Sequence, residues 1–155
     1  MKYRAYAKVN LGLDVASKRE DGYHELKSVM VPIQLHDLIE IHVSEQMHFE
    51  CVPNFLIHPD KNTLLKMIEV CRAKFNFTEN FYIRLYKHIP SQAGLGGGSS
   101  DAAAILNYLD KYFKWNLSDQ EKIDLAVQVG ADVPFCLFEK PALVTGIGEK
   151  LEFFE

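Results

Sequence analysis

Residues 90–104 read PSQAGLGGGSSDAAA, and this stretch decides how the chain is interpreted. Glycine occupies positions 94, 96, 97 and 98, two serines follow, and a run of good helix formers comes after them. Glycine permits positive φ angles and lets a ligand approach the backbone closely. The start of the following helix offers unpaired N–H groups and the positive end of a dipole. The stretch therefore predicts an anion site suited to a di- or triphosphate.

This loop differs from the two commonest phosphate loops. A Walker loop requires a lysine directly after its last glycine, where this sequence has Ser99. The dinucleotide fingerprint GxGxxG requires a glycine at position 99 or 101, and these are Ser99 and Asp101. The alternative interpretation is a flexible glycine hinge before a helix. A hinge has no need of Ser-Ser-Asp at the helix start, so we favour the anion site.

Two further segments carry candidate catalytic residues. Asp132 follows a predicted helix and precedes Val133-Pro134. A carboxylate held in such a turn can accept a hydroxyl proton or help to hold a metal, although an ordinary Asx turn explains it better when it is taken alone. Lys8 and Asn10 fall together on the polar face of a predicted strand. Such a lysine is usually only solvated, but beside a carboxylate it keeps that group ionised and neutralises charge on phosphate.

A turn at residues 21–24, with the sequence DGYH, carries the last candidates. Tyr23 offers a ring for stacking, and His24 offers a directional donor and acceptor for the edge of a heterocycle. The alternative is a turn that is merely exposed to solvent.

The remaining pattern predicts the fold class. Every odd position from Tyr3 to Val15 is apolar, which predicts a strand with one buried face. Further strands are predicted at residues 38–43 and 47–52, as a hairpin, and at 81–89, 133–138 and 142–147. Helices are predicted at residues 62–74, at about 99–114, and after the capping box at 118–121. This order predicts an α+β fold, with helices packed on one face of a mostly antiparallel sheet.

Composition limits the class of protein. The 155 residues are 48% hydrophobic and 25% charged with a net charge of −4, which predicts one globular domain without a basic nucleic-acid surface. No apolar stretch approaches the ~20 residues that span a membrane. The cysteines, Cys51, Cys71 and Cys136, are widely spaced and predict buried thiols in a reducing compartment. The N-terminus lacks the apolar run of a signal peptide, so we expect a cytoplasmic protein.

Taken together, four segments resemble the GHMP kinase superfamily over essentially the whole chain: AKVNLGLDV (7–15), KREDGYHEL (18–26), IPSQAGLGGGSSDAAA (89–104) and GADVPF (130–135). The glycine loop alone indicates only the superfamily. The DGYH and GADVPF turns narrow the resemblance to the kinases that phosphorylate a cytidine diphosphate-linked methylerythritol in non-mevalonate isoprenoid precursor biosynthesis. The resemblance implies that ATP donates its γ-phosphoryl group to the substrate's 2-hydroxyl, with Mg²⁺ neutralising charge.

The resemblance also implies roles for individual residues. Asp132 matches the catalytic base that takes the proton of the 2-hydroxyl, and Lys8 matches the lysine that pairs with it. Asn10 matches a neighbouring substrate position, and Tyr23 and His24 match residues that stack on and hydrogen-bond the cytosine. The predicted ATP-binding residues are Pro90, Ser91, Gln92, Ala93, Gly94, Leu95, Gly96, Gly97, Gly98, Ser99 and Ser100, with Asn62 on the adenine side.

The fold that the resemblance implies for residues 1–155 is an N-terminal, ATP-binding α+β domain with a left-handed β-α-β crossover. Family members are considerably longer, and we expect their C-terminal domain to be absent from this chain. We also expect a small-molecule partner, no nucleic-acid or membrane partner, and self-association through the surface that the second domain covers in the family. Two alternatives stay open: a nucleotide-binding domain without turnover, and a GHMP kinase for another small alcohol.

Overall fold

A computed structural model describes residues 1–18, 24–53, 62–90 and 94–154. Within these ranges the chain forms six strands and four helices. The strands are β1 (Lys2–Lys18), β2 (His24–Ser44), β3 (His48–Val52), β4 (Asn80–Tyr86), β5 (Ala142–Gly146) and β6 (Lys150–Phe153). The helices are α1 (Thr63–Phe75), α2 (Gly97–Phe113), α3 (Asp119–Val127) and α4 (Val133–Cys136).

The sheet is built around the long strand β2. Strand β1 pairs antiparallel with β2 along its length, while β4 and β5 pair antiparallel with different parts of β2. Strand β6 extends the sheet beside β5, and β3 pairs with β4 in the one parallel pairing of the described strands. The predicted α+β class, with a mostly antiparallel sheet, is therefore confirmed.

The predicted hairpin of residues 38–43 and 47–52 is wrong, because β4 lies between β2 and β3. The inward side chains of β4 are fully buried, whereas no residue of β3 is. The strand with more apolar surface to bury takes the central place, and β3 becomes an edge strand. The chain reaches β4 through α1, so β3, α1 and β4 form a parallel β-α-β unit. The left-handed sense of this β-α-β crossover stays a prediction.

The predicted strand at residues 133–138 is also wrong, since Val133–Cys136 forms the short helix α4. Pro134 lies in its first turn, where the missing N–H of proline removes no intrahelical hydrogen bond. An apolar run beside a proline is compatible with either structure, and here the local proline preference decides. The last predicted strand, at residues 142–147, is by contrast present as β5, and β6 follows it.

The core lies between the helices and one face of the sheet. Buried side chains of β2 and β4 meet those of α1, α2 and α3 in one cluster. Its largest fully buried members include Ile39, Ile41, Phe81, Ile83 and Leu85. A smaller cluster joins Phe135 of α4 to Met30 of β2 and to Ala142 and Val144 of β5. This second contact fixes α4, and with it the turn that carries Asp132, against the sheet.

Among the described residues, the helices are too short or too polar for any of them to cross a membrane.

Candidate active site

The glycine loop leads into a helix whose first turn has no side-chain cap. Helix α2 begins at Gly97, two residues earlier than predicted, and Gly96 is its N-cap. Helices α1 and α3 are capped by the side chains of Asn62 and Ser118, whereas no described side chain caps α2. Its first amide groups therefore lie where an anion can accept their hydrogen bonds.

The described part of the loop covers residues 94–100. Ser99 and Ser100 lie in the first turn of α2, where Ser100 donates its backbone N–H to the Gly96 carbonyl at 2.8 Å. Gly94 and Gly98 are exposed. The predicted ATP-binding residues Ser91, Gln92 and Ala93 lie outside the described residues.

Lys8 joins this loop to strand β1. Its backbone N–H donates to the Leu95 carbonyl at 2.9 Å, and its Nζ donates to the Gly94 carbonyl at 3.0 Å. The lysine stem lies across Gly96, where an added Cβ would come within 2.9 Å of Lys8 Cγ. Gly96 has a φ of +69°, so both the backbone and the lysine stem require glycine here.

The predicted shared polar face of Lys8 and Asn10 is wrong. Lys8 is buried, at 4% exposure, while Asn10 is exposed. The pairing of β1 with β2 shifts register between Tyr6 and Lys8 and again between Asn10 and Gly12. Each irregularity interrupts the alternation of side chains, which turns Lys8 toward the loop and leaves Leu11 exposed.

Asp132 faces the lysine from the other side of the site. Its Oδ2 lies 3.7 Å from Lys8 Nζ, and its side chain is 36% exposed. Asp132 is the N-cap residue of α4, yet its side chain makes no capping hydrogen bond, so capping does not account for it. The turn between β5 and β6 packs behind it, since a Cβ on Gly148 would collide with the Ala131 carbonyl oxygen. The fold therefore holds this carboxylate firmly while leaving it open to solvent.

The thiol of Cys136 lies in the electric field of the same pair. Burial raises the pKa of Cys136, the charge of Asp132 raises it further, and Lys8 acts in the opposite direction. A thiol with a raised pKa stays protonated and is a poor nucleophile. The site therefore favours carboxylate chemistry over cysteine chemistry.

Asn62 caps α1 and directly precedes Thr63, which contacts the glycine loop. Its side-chain oxygen accepts hydrogen bonds from the backbone N–H groups of Leu64 and Leu65, which caps α1. The next residue, Thr63, donates its hydroxyl to the Gly98 carbonyl at 2.5 Å. This bond ties the first turn of α1 to the first turn of α2. Contact of Asn62 with a nucleotide stays a prediction.

The predicted substrate residues are placed only in part. The side-chain oxygen of Asn10 accepts a hydrogen bond from the Ser28 hydroxyl at 2.9 Å, which orients it at the β1–β2 pair. Tyr23 lies outside the described residues. His24 begins β2 opposite Lys18, but its side chain lies outside the described part of the chain.

A second lysine–carboxylate group lies at the base of the loop and was not predicted. Lys87 Nζ donates to Asp37 Oδ2 at 2.6 Å and to Asp101 Oδ2 at 3.1 Å. Asp37 Oδ1 also accepts the backbone N–H groups of His88 at 2.7 Å and Ile89 at 2.9 Å. One buried cluster thus connects β2, the chain after β4, and α2.

Burial and charge act together on this cluster. Burial raises the pKa of Asp101 well above its ordinary value, the neighbouring carboxylate of Asp37 raises it further, and Lys87 opposes both. Burial lowers the pKa of Lys87, but both carboxylates raise it and leave it above its ordinary value. Asp101 Oδ1 is buried without a hydrogen-bond partner among the described residues.

The sequence carries a signal for this cluster. Asp37 lies two and four residues before the buried Ile39 and Ile41 of β2, which places the three residues on the same face of the strand. Lys87, just after β4, continues the inward positions of that strand. A charged residue at an inward position must find a buried partner, so a charge that breaks an apolar alternation indicates an internal ion pair.

Known proteins are similar to this chain in sequence. The family model described as GHMP kinases N terminal domain matches residues 62–140. The 4-diphosphocytidyl-2-C-methyl-D-erythritol kinase of Caldanaerobacter subterraneus subsp. tengcongensis is 46% identical over 155 residues, which are 100% of this chain and 54% of that protein.

Two solved structures extend the comparison. A crystal structure of 4-(cytidine 5'-diphospho)-2C-methyl-D-erythritol kinase is 35% identical with a TM-score of 0.82, and the match covers 99% of this chain and 55% of that chain. Streptococcus pneumoniae phosphomevalonate kinase, in complex with phosphomevalonate and AMPPNP, has a similar fold at 12% identity and a TM-score of 0.71, over 94% of this chain and 50% of that chain. The chain spans about half the length of the relatives that it matches.

Proposed function

We propose that this chain, which belongs to the GHMP kinases through their N-terminal domain, forms the ATP-binding and catalytic part of a 4-diphosphocytidyl-2-C-methyl-D-erythritol kinase. One observation carries the proposal. Lys8 Nζ lies 3.0 Å from the Gly94 carbonyl and 3.7 Å from Asp132 Oδ2, so one ammonium group joins the glycine loop to the carboxylate. The side chain of Lys8 therefore lies between the proposed phosphate loop and the proposed general base.

Asp132 is the general base in this proposal. It takes the proton of the 2-hydroxyl as the hydroxyl oxygen forms a bond to the γ-phosphorus and ADP leaves. Its partial exposure gives the substrate hydroxyl access to the carboxylate. Lys8 places positive charge where negative charge develops on the transferred group.

The loop and α2 supply the other half of the chemistry. The uncapped amides at the start of α2 hydrogen-bond the phosphates and hold the γ-phosphorus in line with the hydroxyl. Positioning and electrostatic stabilisation carry most of the catalysis of phosphoryl transfer.

Mg²⁺ fits this arrangement as a companion of the nucleotide. Among the described residues no group of three His, Cys, Asp or Glu side chains could hold a metal ion. Mg²⁺ in kinase sites is bound largely through substrate phosphates, with few protein ligands, so ATP itself is the main ligand. The ion neutralises charge on the phosphate oxygens.

The remaining assignments stay predictions. We propose that Asn62 lies on the adenine side and that Asn10, Tyr23 and His24 bind the substrate, the last two through its cytosine. The cytoplasmic location and self-association stay predictions as well.

A nucleotide-binding domain without turnover is the second candidate function. This candidate predicts that ATP binds to the uncapped start of α2 and that no ADP is formed. A kinase for another small alcohol has less support, since three solved mevalonate kinases of similar fold are only 16–17% identical to this chain.

Incubation of the chain with ATP, Mg²⁺ and the cytidyl substrate tests the proposal through ADP formation. Substrate-dependent ADP supports the kinase. ATP binding without ADP supports the domain without turnover, and ADP formed only with another alcohol supports the third alternative. A calorimetric titration with ATP on the same sample shows whether the nucleotide binds at all.

A further inference from the structure

We infer that Asp37, Lys87 and Asp101 form a loop clamp, a set of positioning residues that holds both ends of the glycine loop in the geometry that binds phosphate. The inference rests on the proposed function, because it assigns a task to the loop that binds ATP there. None of the three residues reaches the Lys8–Asp132 pair through a hydrogen bond in the described structure, so their contribution is to position the loop.

The entry to the loop is fixed by Asp37. Its Oδ1 accepts the backbone N–H groups of His88 and Ile89, the two residues directly before Pro90. Asp37 is completely buried, and each of these amides would otherwise lose a hydrogen bond inside the protein. The bonds therefore fix where the loop leaves the sheet.

The exit from the loop is fixed by Asp101. This residue lies in the second turn of α2, four residues after Gly97, and its Oδ2 accepts a hydrogen bond from Lys87 Nζ. The same Nζ lies 3.1 Å from the place where a Cβ on Gly97 would be. The lysine tip thus packs against the first residue of α2 and joins the loop's exit to its entry.

The oxygen of Asp101 that lacks a hydrogen-bond partner among the described residues indicates the protonation state of this residue in the loop clamp. Two buried carboxylates share one ammonium group, and Asp101 Oδ1 lacks a partner. A neutral Asp101 removes an uncompensated charge from the interior. The raised pKa of Asp101 agrees with this state. Asparagine has nearly the same shape, is neutral and can likewise accept a hydrogen bond from Lys87.

Calorimetric titration of ATP into three variants tests the clamp. Asp101→Ala is expected to weaken ATP binding by about tenfold or more, because it leaves Lys87 short of a partner and frees the start of α2. Asp101→Asn is expected to stay within about threefold of the unchanged chain, because it is neutral and keeps the hydrogen bond from Lys87. Asp110→Ala is the matched control, since Asp110 lies near the other end of α2 and pairs with Lys122 at 3.4 Å. It should leave the affinity unchanged.

Three results would overturn the inference. These are unaltered ATP affinity in Asp101→Ala, an equal loss in Asp110→Ala, or a loss in Asp101→Asn as large as in Asp101→Ala. Where Asp101→Ala fails to fold, amide hydrogen exchange of the unchanged chain without nucleotide decides. Strong protection of His88 and Ile89 supports the clamp, and fast exchange contradicts it. If the unchanged chain binds no ATP, the proposed function fails, while amide protection still tests the clamp separately.

Discussion

Two lysine–carboxylate groups lie beside the glycine loop, and they differ in burial and in geometry. In the first, Lys8 approaches a single carboxylate at 3.7 Å, and that carboxylate is 36% exposed. In the second, Lys87 contacts two carboxylates at 2.6 and 3.1 Å, and each has a side-chain exposure of 4% or less.

The difference suits the Lys8–Asp132 pair to the reaction and the Lys87 cluster to supporting the glycine loop. A carboxylate that must exchange a proton with a substrate needs access, and a long ion pair leaves its oxygens available. A carboxylate that fixes backbone amides needs burial and short bonds, because solvent competes for exposed hydrogen bonds. The same residue types therefore carry opposite tasks within one site.

Asp132→Asn is expected to have the largest effect on turnover. Removal of the base should lower kcat by about 10²–10⁴-fold, while ATP affinity and the free energy of unfolding stay nearly unchanged. Substrate-dependent ADP formation measures the loss. Asp124→Asn, which changes an exposed aspartate on α3, serves as the control and should keep full activity. Retained turnover in Asp132→Asn would remove this residue from the chemistry.

Asp37→Ala is expected to lower the free energy of unfolding, which Asp132→Asn leaves nearly unchanged. It orphans two backbone amides and strips Lys87 of its shortest partner, at a cost of about 3–5 kcal/mol of folding free energy. Asp132→Ala, at the exposed pair, should cost about 1 kcal/mol or less. Denaturant unfolding compares the two variants. Equal losses would show that the two groups do not differ in their structural task.

Gly148→Ala tests how the turn behind Asp132 is held. Gly148 has a φ of +124°, and a Cβ there would collide with the Ala131 carbonyl oxygen. We expect a loss of about 2–3 kcal/mol in the free energy of unfolding, and a fall in kcat that exceeds the fall in ATP affinity.

Gly12→Ala is the control for this substitution, since a Cβ at Gly12 meets nothing within 4 Å. It should change stability by no more than about 0.5 kcal/mol. Similar losses in the two variants would show that the turn does not support the Asp132 carboxylate.

The smallest expected effect is a pH dependence of the free energy of unfolding, which arises from Asp101 of the loop clamp. Lys87 contacts Asp101, the charge of Asp37 acts on it, and Asp101 in turn raises the pKa of the Cys136 thiol; the pKa of Asp101 itself is raised in the folded chain. The folded state then keeps the Asp101 proton to a higher pH than the unfolded state. The stabilisation is therefore complete below the ordinary pKa of about 3.9 and is lost as pH rises toward the raised pKa.

Denaturant unfolding across this pH range checks the sign. The free energy of unfolding should decrease with rising pH in the unchanged chain relative to Asp101→Asn, which lacks the titrating group. A difference that is independent of pH, or that increases with pH, would contradict a neutral Asp101.

Local features were predictable because they depend on neighbouring residues. The Ser118–Glu121 capping box and the Asn62 cap are present as their spacing predicts. The glycine loop is followed by a helix because glycines precede a run of helix formers. The start of α2 was placed two residues late, since Gly97 and Gly98 are weak helix formers that tertiary contacts hold in the helix.

Features that depend on distant segments were not predictable from spacing. The insertion of β4 between β2 and β3 depends on which strand buries more apolar surface, which a hairpin pattern does not encode. The approach of Lys8 to the loop depends on a register shift after Tyr6. Alternation alone placed Lys8 in solvent, and only the family resemblance brought it together with Asp132.

The backbone amides of residues 94–100 are expected to bind the polyphosphate of ATP. Titration of ATP and Mg²⁺ into the isotopically labelled chain, followed through the amide resonances, measures this binding. We expect saturable shifts that are largest at the start of α2 and that extend to Lys8. Saturable binding that leaves these amide resonances unmoved and shifts those of a distant surface would show that the glycine loop does not hold the phosphates.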